Sequence, residues 1–113
     1  MYAISGKELQ INGDVRAKFP FDIRKVIECG DRKVVLLTIP PTASMTENVF
    51  GVNADGAIVW QVEKIPETSI HPQLWYADMD PVSNNTVRLY NWNGWSVEVD
   101  ISTGRVRQRT WSK

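Results

Sequence analysis

Hydrophobic and polar residues alternate along most of the chain, and glycine, asparagine, aspartate and proline interrupt the alternation at intervals. A period of two places apolar side chains on one face of a β-strand, and no segment keeps the 3.6-residue period of a helix over about twelve residues. The pattern therefore predicts an all-β protein with almost no helix. Nine segments are predicted as strands: 8–11, 15–19, 23–29, 33–39, 48–53, 57–64, 86–91, 95–100 and 105–111.

Two longer connections, 40–47 and 65–85, separate groups of these strands, and their prolines exclude a continuous central strand. The second connection is long enough to hold a short extra strand around Leu74 to Met79. Strand counting gives two antiparallel meander sheets of about four strands each, packed face to face as a sandwich or curled into a barrel. A chain of 113 residues is expected to form a single domain, 1–113.

The glycine turns predict how neighbouring strands pair. At residues 91–94, a type I turn with Gly94 in the left-handed region pairs residues whose numbers sum to 186, which gathers the apolar side chains on one face. The alternative two-residue turn would mix an arginine into that face. The same rule at residues 53–56 predicts that Phe50 lies opposite Trp60 on the inner face of a second hairpin.

The last turn is predicted to be a four-residue loop in which Asp100 caps the turn amides and Gly104 is left-handed. The resulting register places Glu98 between Arg88 and Arg107 and gives the last strand carboxylate partners. Each cross-strand pair contributes only about 0.2–1 kcal/mol. Because a nucleic-acid site needs uncompensated positive charge, the basic last strand is interpreted as a solvated face.

Composition excludes several classes of function. Thirteen basic and thirteen acidic residues cancel, so nothing indicates nucleic acid or an acidic membrane as a partner. No leader-like segment or apolar run of about 20 residues is present, which predicts a cytoplasmic protein. Cys29, the only cysteine, is expected to be a buried, inert thiol. No motif indicates a cofactor or a metal ion, and the sequence leaves the oligomeric state open.

Two segments, 48–60 and 93–107, resemble the repeats of quinoprotein-type β-propellers. These repeats have a glycine turn, an apolar strand ending in aspartate, a Thr-Gly turn and a strand that carries tryptophan. Asp100, Thr103, Gly104 and Trp60 match this pattern, whereas Gln108 stands where the second repeat would have its tryptophan. Because a propeller needs at least four four-stranded blades, the chain cannot form a complete one.

The layout also resembles that of small bacterial all-β immunity proteins encoded beside polymorphic toxins. This resemblance rests on fold and size rather than on a motif, and it implies a cognate toxin domain as the partner.

Candidate catalytic residues are few. His71 is the only histidine, so a triad or a Cys–His pair with Cys29 could use no other base, and nothing local marks Cys29 as activated. Asp78 and Asp80 have strand-like spacing that places both carboxylates on one side, as acid–base or calcium chemistry would need. Two carboxylates without further ligands are more typical of a solvated loop. The sequence therefore favours a protein that is not an enzyme.

Aromatic residues give the strongest indication of binding. Trp60 and Trp95 are predicted to face inward, whereas the turn at 91–94 places Trp92 at a loop tip. Rigid exposed aromatics suit a binding hot spot, although loop aromatics can instead cover a sheet end.

The first hypothesis is a non-enzymatic protein-binding module, plausibly an immunity protein whose acidic residues mimic phosphate toward a nuclease. The alternative is a carbohydrate-binding or other small-ligand β-domain that uses the same aromatics. The predicted partner-binding residues are Trp75, Tyr76, Asp78, Asp80 and Trp92.

Overall fold

The computed structural model describes residues 2–64, 75–92 and 94–111, which form eleven β-strands and no helix. It follows that these residues contain no helix that is long and apolar enough to cross a membrane. The strands are β1 (Tyr2–Ser5), β2 (Glu8–Ile11), β3 (Asp14–Lys18), β4 (Ile23–Cys29), β5 (Arg32–Leu37), β6 (Val49–Val52), β7 (Ile58–Gln61), β8 (Tyr76–Ser83), β9 (Thr86–Asn91), β10 (Trp95–Asp100) and β11 (Val106–Trp111). The all-β prediction is confirmed.

The strands form three antiparallel meander sheets in chain order. The second sheet, β4 to β7, and the third sheet, β8 to β11, have four antiparallel strands each, the size expected for a predicted meander. A further three-stranded sheet, β1 to β3, precedes them. Its strand β1 was missed because Tyr2, Ala3 and Ile4 are consecutive apolar residues and show no alternation. The extra strand predicted around Leu74 to Met79 is β8, although Leu74 itself lies outside the described residues.

The second sheet lies between the other two and is buried on both faces. In β5, Val35 and Leu37 pack toward the first sheet, whereas Val34 and Leu36 pack toward the third. All four side chains are at most 1% exposed. This double burial explains why β5 is a continuous apolar run rather than an alternating one. The sheets therefore stack in layers, and each keeps two edge strands among the described residues.

The register predicted for the β9–β10 hairpin is confirmed. Val97 lies opposite Leu89, as the sum of 186 requires, and both are buried in the core between the second and third sheets. Gly94 has a φ of 92°, in the left-handed region that a type I turn with a glycine bulge requires. On the opposite face, Arg88 donates a hydrogen bond of 2.7 Å to Glu98.

The register predicted for the β6–β7 hairpin is wrong at one position. Trp60 lies opposite Gly51 rather than Phe50, because an extra residue, Val59, shifts the pairing by one. The shift turns Trp60 toward the third sheet, where its Nε1 donates a hydrogen bond of 2.7 Å to the carbonyl of Ile101. Phe50 instead packs toward the first sheet. A bulge thus places the two aromatics in different cores.

A similar shift corrects the charge pairs of the last strand. Glu98 lies opposite Gln108, and Arg107 instead donates a hydrogen bond of 2.8 Å to Asp100. Asp100 also caps the turn as predicted, accepting a hydrogen bond of 2.8 Å from the Ser102 amide. The Ser102 amide and then Arg107 lower the pKa of the Asp100 carboxyl, since both contacts favour its charged form.

Candidate functional site

Two tryptophans from separate connections meet at one end of the second and third sheets. Trp75, just before β8, and Trp92, in the β9–β10 turn, line the same cleft of about 120 Å³. Arg24 of β4 and Thr38, which directly follows β5, add polar side chains to its lining. We refer to the surface formed by Trp75, Trp92, Arg24 and Thr38 as the tryptophan cleft.

Trp92 is exposed in this cleft, with 61% of its surface accessible. Its turn is held by a hydrogen bond of 3.3 Å from the Gly94 amide to the Asn91 carbonyl. The left-handed Gly94 allows the chain to enter β10 directly after the turn. The backbone therefore presents the exposed indole on an anchored turn, as the sequence predicted.

Trp75 and Tyr76 are neighbours in the chain but occupy different environments. Trp75 is half-buried and packs at the margin of the core between the first and second sheets. Tyr76 is 1% exposed and belongs to the other core, between the second and third sheets. Tyr76 also lines the cleft, but its side chain packs in the core and leaves almost no accessible surface, so its role in binding stays a prediction.

A buried amide positions the backbone at Tyr76. Asn48 accepts a hydrogen bond of 2.8 Å from the Tyr76 amide and donates one of 3.0 Å to the Tyr76 carbonyl. Its side-chain amide also donates to the carbonyl of Leu37, at 2.9 Å. Asn48 is fully buried, so these bonds join β8 to the second sheet without competition from water. The adjacent Trp75 is thereby fixed beside the end of β5.

Arg24 is a cleft residue that sequence reasoning missed. It is the extra residue of a bulge in β4, between the partners Ile23 and Lys25, and its side chain is exposed. Among the described residues, no carboxylate lies within 4.0 Å of its guanidinium. Because of this bulge, Ile23 and Val26 pack against the same core although they are three residues apart, which the sequence alone does not show.

Asp78 and Asp80 lie on one side of β8, as their spacing predicted, but neither is among the residues that line the cleft. Lys25 of β4 pairs with both, at 3.0 Å from Asp78 and 3.8 Å from Asp80. The backbone amide of Met79 and then Lys25 lower the pKa of the Asp78 carboxyl. Because Lys25 compensates much of their charge, the two carboxylates do not form a strongly acidic surface.

The candidate Cys29–His71 pair cannot be assembled from the described residues, since His71 lies outside them. Cys29 is half-buried against the core between the second and third sheets. Burial raises the pKa of its thiol, which disfavours the thiolate that a nucleophile requires. Among the described residues, no group of three or more His, Cys, Asp or Glu side chains could hold a metal ion.

A family model described as Domain of unknown function (DUF7957) matches residues 1–111. The chain belongs to this family. That description names no activity, and no curated protein matches the chain.

Among solved structures, the chain is similar to BamB from Moraxella catarrhalis, with a TM-score of 0.66 and 18% sequence identity. The match covers 96% of this chain and 33% of the BamB chain, so this chain spans about a third of the length of that structure. BamB is a β-propeller protein. At this identity the likeness shows the fold alone, and it agrees with the propeller-type repeats in the sequence.

Proposed function

We propose that this chain is a non-enzymatic binding module that recognises a partner protein through the tryptophan cleft. The observation that carries the proposal is the 61% exposure of Trp92 on a hydrogen-bonded turn, beside the half-buried Trp75. An indole offers a large apolar contact at a low cost in conformational entropy, and tryptophan is enriched among the residues that dominate binding energies.

The adjacent Arg24 extends the chemistry of this surface. Its exposed guanidinium lies in the cleft and is not engaged in a close ion pair with the described carboxylates. Arginine beside tryptophan is a common pairing at the centre of interfaces, because arginine can stack on a ring and bond a carboxylate at the same time. The partner is therefore expected to present an acidic group next to an apolar one.

Site-specific photocrosslinking tests the proposal. A benzophenone amino acid replaces Thr38, an exposed residue of the cleft, in cells of the native host, and mass spectrometry identifies the protein that is captured. With that partner purified, Trp92→Ala is expected to raise Kd by about 30-fold, since loss of a central tryptophan costs about 2 kcal/mol or more. Circular dichroism checks that the variant remains folded.

The matched control is Val59→Ala, because Val59 is also exposed, at 42%, and lies on β7 away from the cleft lining. The Kd of the Val59→Ala variant for the captured partner is expected to stay within about two-fold of the wild-type value. If Trp92→Ala and Trp75→Ala together leave the affinity unchanged, the cleft is not the binding surface.

A cognate bacterial toxin is the more specific form of this proposal, and it rests on the resemblance in size and layout to immunity proteins. The partial compensation of Asp78 and Asp80 by Lys25 weakens the electrostatic reason for choosing a nuclease among possible toxins. Co-expression of the captured partner in a sensitive host tests the idea. Wild-type chain should restore growth, whereas the Trp92→Ala variant should restore less.

A small-ligand function is the second candidate, and it is favoured by a cleft that Arg24 and two indoles line together. Sugars stack on tryptophan faces, and a guanidinium would select those that carry a carboxylate. A thermal-shift series with uronic acids separates the two functions, since a ligand that binds the folded state raises the melting temperature with concentration. A shift that Trp92→Ala abolishes would favour the sugar-binding function.

A further inference from the structure

The six edge strands of the three sheets are not alike. The edges are β1 and β3 in the first sheet, β4 and β7 in the second, and β8 and β11 in the third. Five of them contain a shift of register against the neighbouring strand. In contrast, β1 pairs with β2 over four consecutive residues without a shift. In this respect β1 matches the internal pairings of β5 with β6 and of β9 with β10.

This difference matters because an edge strand exposes unpaired backbone amides and carbonyls. Proteins protect such edges with bulges, charged side chains or proline. The segment Tyr2–Ser5, Tyr-Ala-Ile-Ser, has none of these, and three of its four residues are exposed. Edge β3, on the other side of the same sheet, has both a bulge and the charged residues Asp14, Arg16 and Lys18. The first sheet is thus protected at one edge and open at the other.

Comparison of the three sheets explains the open edge. The turns β2–β3, β6–β7 and β10–β11 each contain a glycine with positive φ, namely Gly13, Gly56 and Gly104. Each of these turns leads into a bulged outer strand. The last two strands of each sheet therefore correspond, which makes β1 the counterpart of the internal strands β5 and β9. The described residues supply no counterpart of β4 and β8 in the first sheet.

Apolar side chains mark the place where such a strand would lie. Ile4 is 42% exposed although it faces the same side as its fully buried partner Leu9. The Ile23 amide donates a hydrogen bond of 2.9 Å to the Gly6 carbonyl, so β4 begins beside the end of β1. Ile23 and Val26 remain half-buried at the margin of this core.

The equivalent margin between the second and third sheets is covered. There β4 and β8 run beside each other, and Ile27 and Met79 are 8% and 0% exposed. A strand beside β1 would cover Ile4, Ile23 and Val26 in the same way.

We propose that β1 pairs with an extended segment of a partner polypeptide, which completes the first sheet as its fourth strand. Main-chain hydrogen bonds to Tyr2–Ser5 would supply the pairing, and apolar side chains at alternate positions would pack on Ile4. A second copy fits less well. If two copies paired through β1, the two-fold axis would be normal to the joined sheet, and the β4 strands of both copies would lie next to each other on the same face of that sheet. This inference does not depend on the tryptophan cleft, since it concerns different residues.

The test uses a synthetic peptide that alternates threonine and valine over seven residues, with a lysine at each end for solubility. Hydrogen exchange of the full wild-type chain is followed by mass spectrometry with and without the peptide. The expected result is slower exchange of amides within Tyr2–Ser5. A peptide with N-methyl groups on alternate amides keeps the side chains but cannot pair, and it should give no protection.

Fluorescence anisotropy then measures the affinity of the Ile4→Lys variant for the same peptide. This substitution introduces the charge that protected edges have. Its Kd is expected to rise at least ten-fold. Val15→Lys is the matched control, since Val15 is 44% exposed on the protected edge β3, and its Kd should stay within two-fold.

Three results would overturn the proposal: unchanged exchange at Tyr2–Ser5, equal binding by Ile4→Lys and wild type, or protection by the N-methylated peptide. A fourth contrary result could come from sedimentation of the wild-type chain alone. If the chain is a dimer and Ile4→Lys makes it monomeric, the edge pairs with a second copy.

Discussion

At the scale of single residues, Asn48 is a fully buried polar side chain that connects two sheets. Its amide makes three hydrogen bonds, to the backbones of Leu37 and Tyr76, and these residues belong to different sheets. Only three polar residues are buried among those described, and Asn48 alone of them is fully inaccessible. The position of Trp75, and therefore of the cleft, depends on this side chain.

Asn48→Ala is expected to lower the free energy of unfolding by roughly 2–4 kcal/mol. The substitution leaves one buried amide and two carbonyls without partners, and an unsatisfied buried group costs more than a hydrogen bond contributes. Urea denaturation followed by circular dichroism measures the change. Asn84→Ala, in the exposed β8–β9 turn, should change the stability by less than about 0.5 kcal/mol. A loss below about 1 kcal/mol for Asn48→Ala would contradict the assigned role.

The exposure of Trp92 could be predicted from the sequence, whereas the role of Asn48 could not. The position of Trp92 depends on a turn whose glycine is two residues away, so local backbone preferences decide it. Asn48 contacts Tyr76, 28 residues further along the chain, and no local pattern indicates that contact. The burial of Tyr76 could not be predicted for the same reason, since it depends on the sheet that packs against it.

At the scale of strands and turns, glycine positions predicted the hairpins, but alternation did not predict the bulges. The 186 register is correct throughout β9 and β10 because neither strand contains an extra residue in that pairing. The predicted registers fail at Val59 and Arg107, each of which is the extra residue of an outer strand. A bulge inverts the faces of all residues beyond it, so one missed bulge moved Trp60 into the other core.

Trp60 joins two sheets through contacts with two glycines. A Cβ atom on Gly51 would lie 2.1 Å from Cε2 of the indole, and one on Gly104 would lie 2.6 Å from Cε3. Gly51 therefore admits the ring from the second sheet and Gly104 from the third. At Gly104 a φ of 77° adds a second reason for glycine, whereas at Gly51 the close approach is the reason.

Gly51→Ala is expected to lower the free energy of unfolding by about 1–3 kcal/mol, because the new methyl group displaces a packed indole. Urea denaturation measures the loss. In a Trp60→Leu background, the same glycine substitution should cost less than half as much, since the colliding ring is absent. Equal costs in the two backgrounds would show that Trp60 is not the cause.

Gly30→Ala provides a separate reference for that experiment. A Cβ at Gly30 meets no atom within 4 Å, and its φ of 61° is in the left-handed region. Its cost, about 1 kcal/mol, therefore reports backbone strain without collision.

At the scale of the whole molecule, the middle sheet connects two cores and the outer sheets end the stack. The outer face of the third sheet carries the ion pairs Arg88–Glu98 and Arg107–Asp100. The register of the first sheet places Glu8 opposite Lys18 on its outer face. Such charged faces offer little apolar surface for a further layer, in contrast to the buried faces of the middle sheet. The fold therefore resembles part of a propeller while ending in polar surfaces.

The shared middle sheet predicts that the two cores unfold together. Leu9→Ala opens a cavity between the first and second sheets, and Leu89→Ala opens one between the second and third. Both leucines are fully buried, so each variant should lose about 2–5 kcal/mol. Each should still give a single urea transition that coincides by circular dichroism and tryptophan fluorescence, with an unchanged slope. Ile58→Ala, 44% exposed, should lose less than about 0.5 kcal/mol. An early separate transition in Leu9→Ala would instead mean that the first sheet unfolds independently of the others.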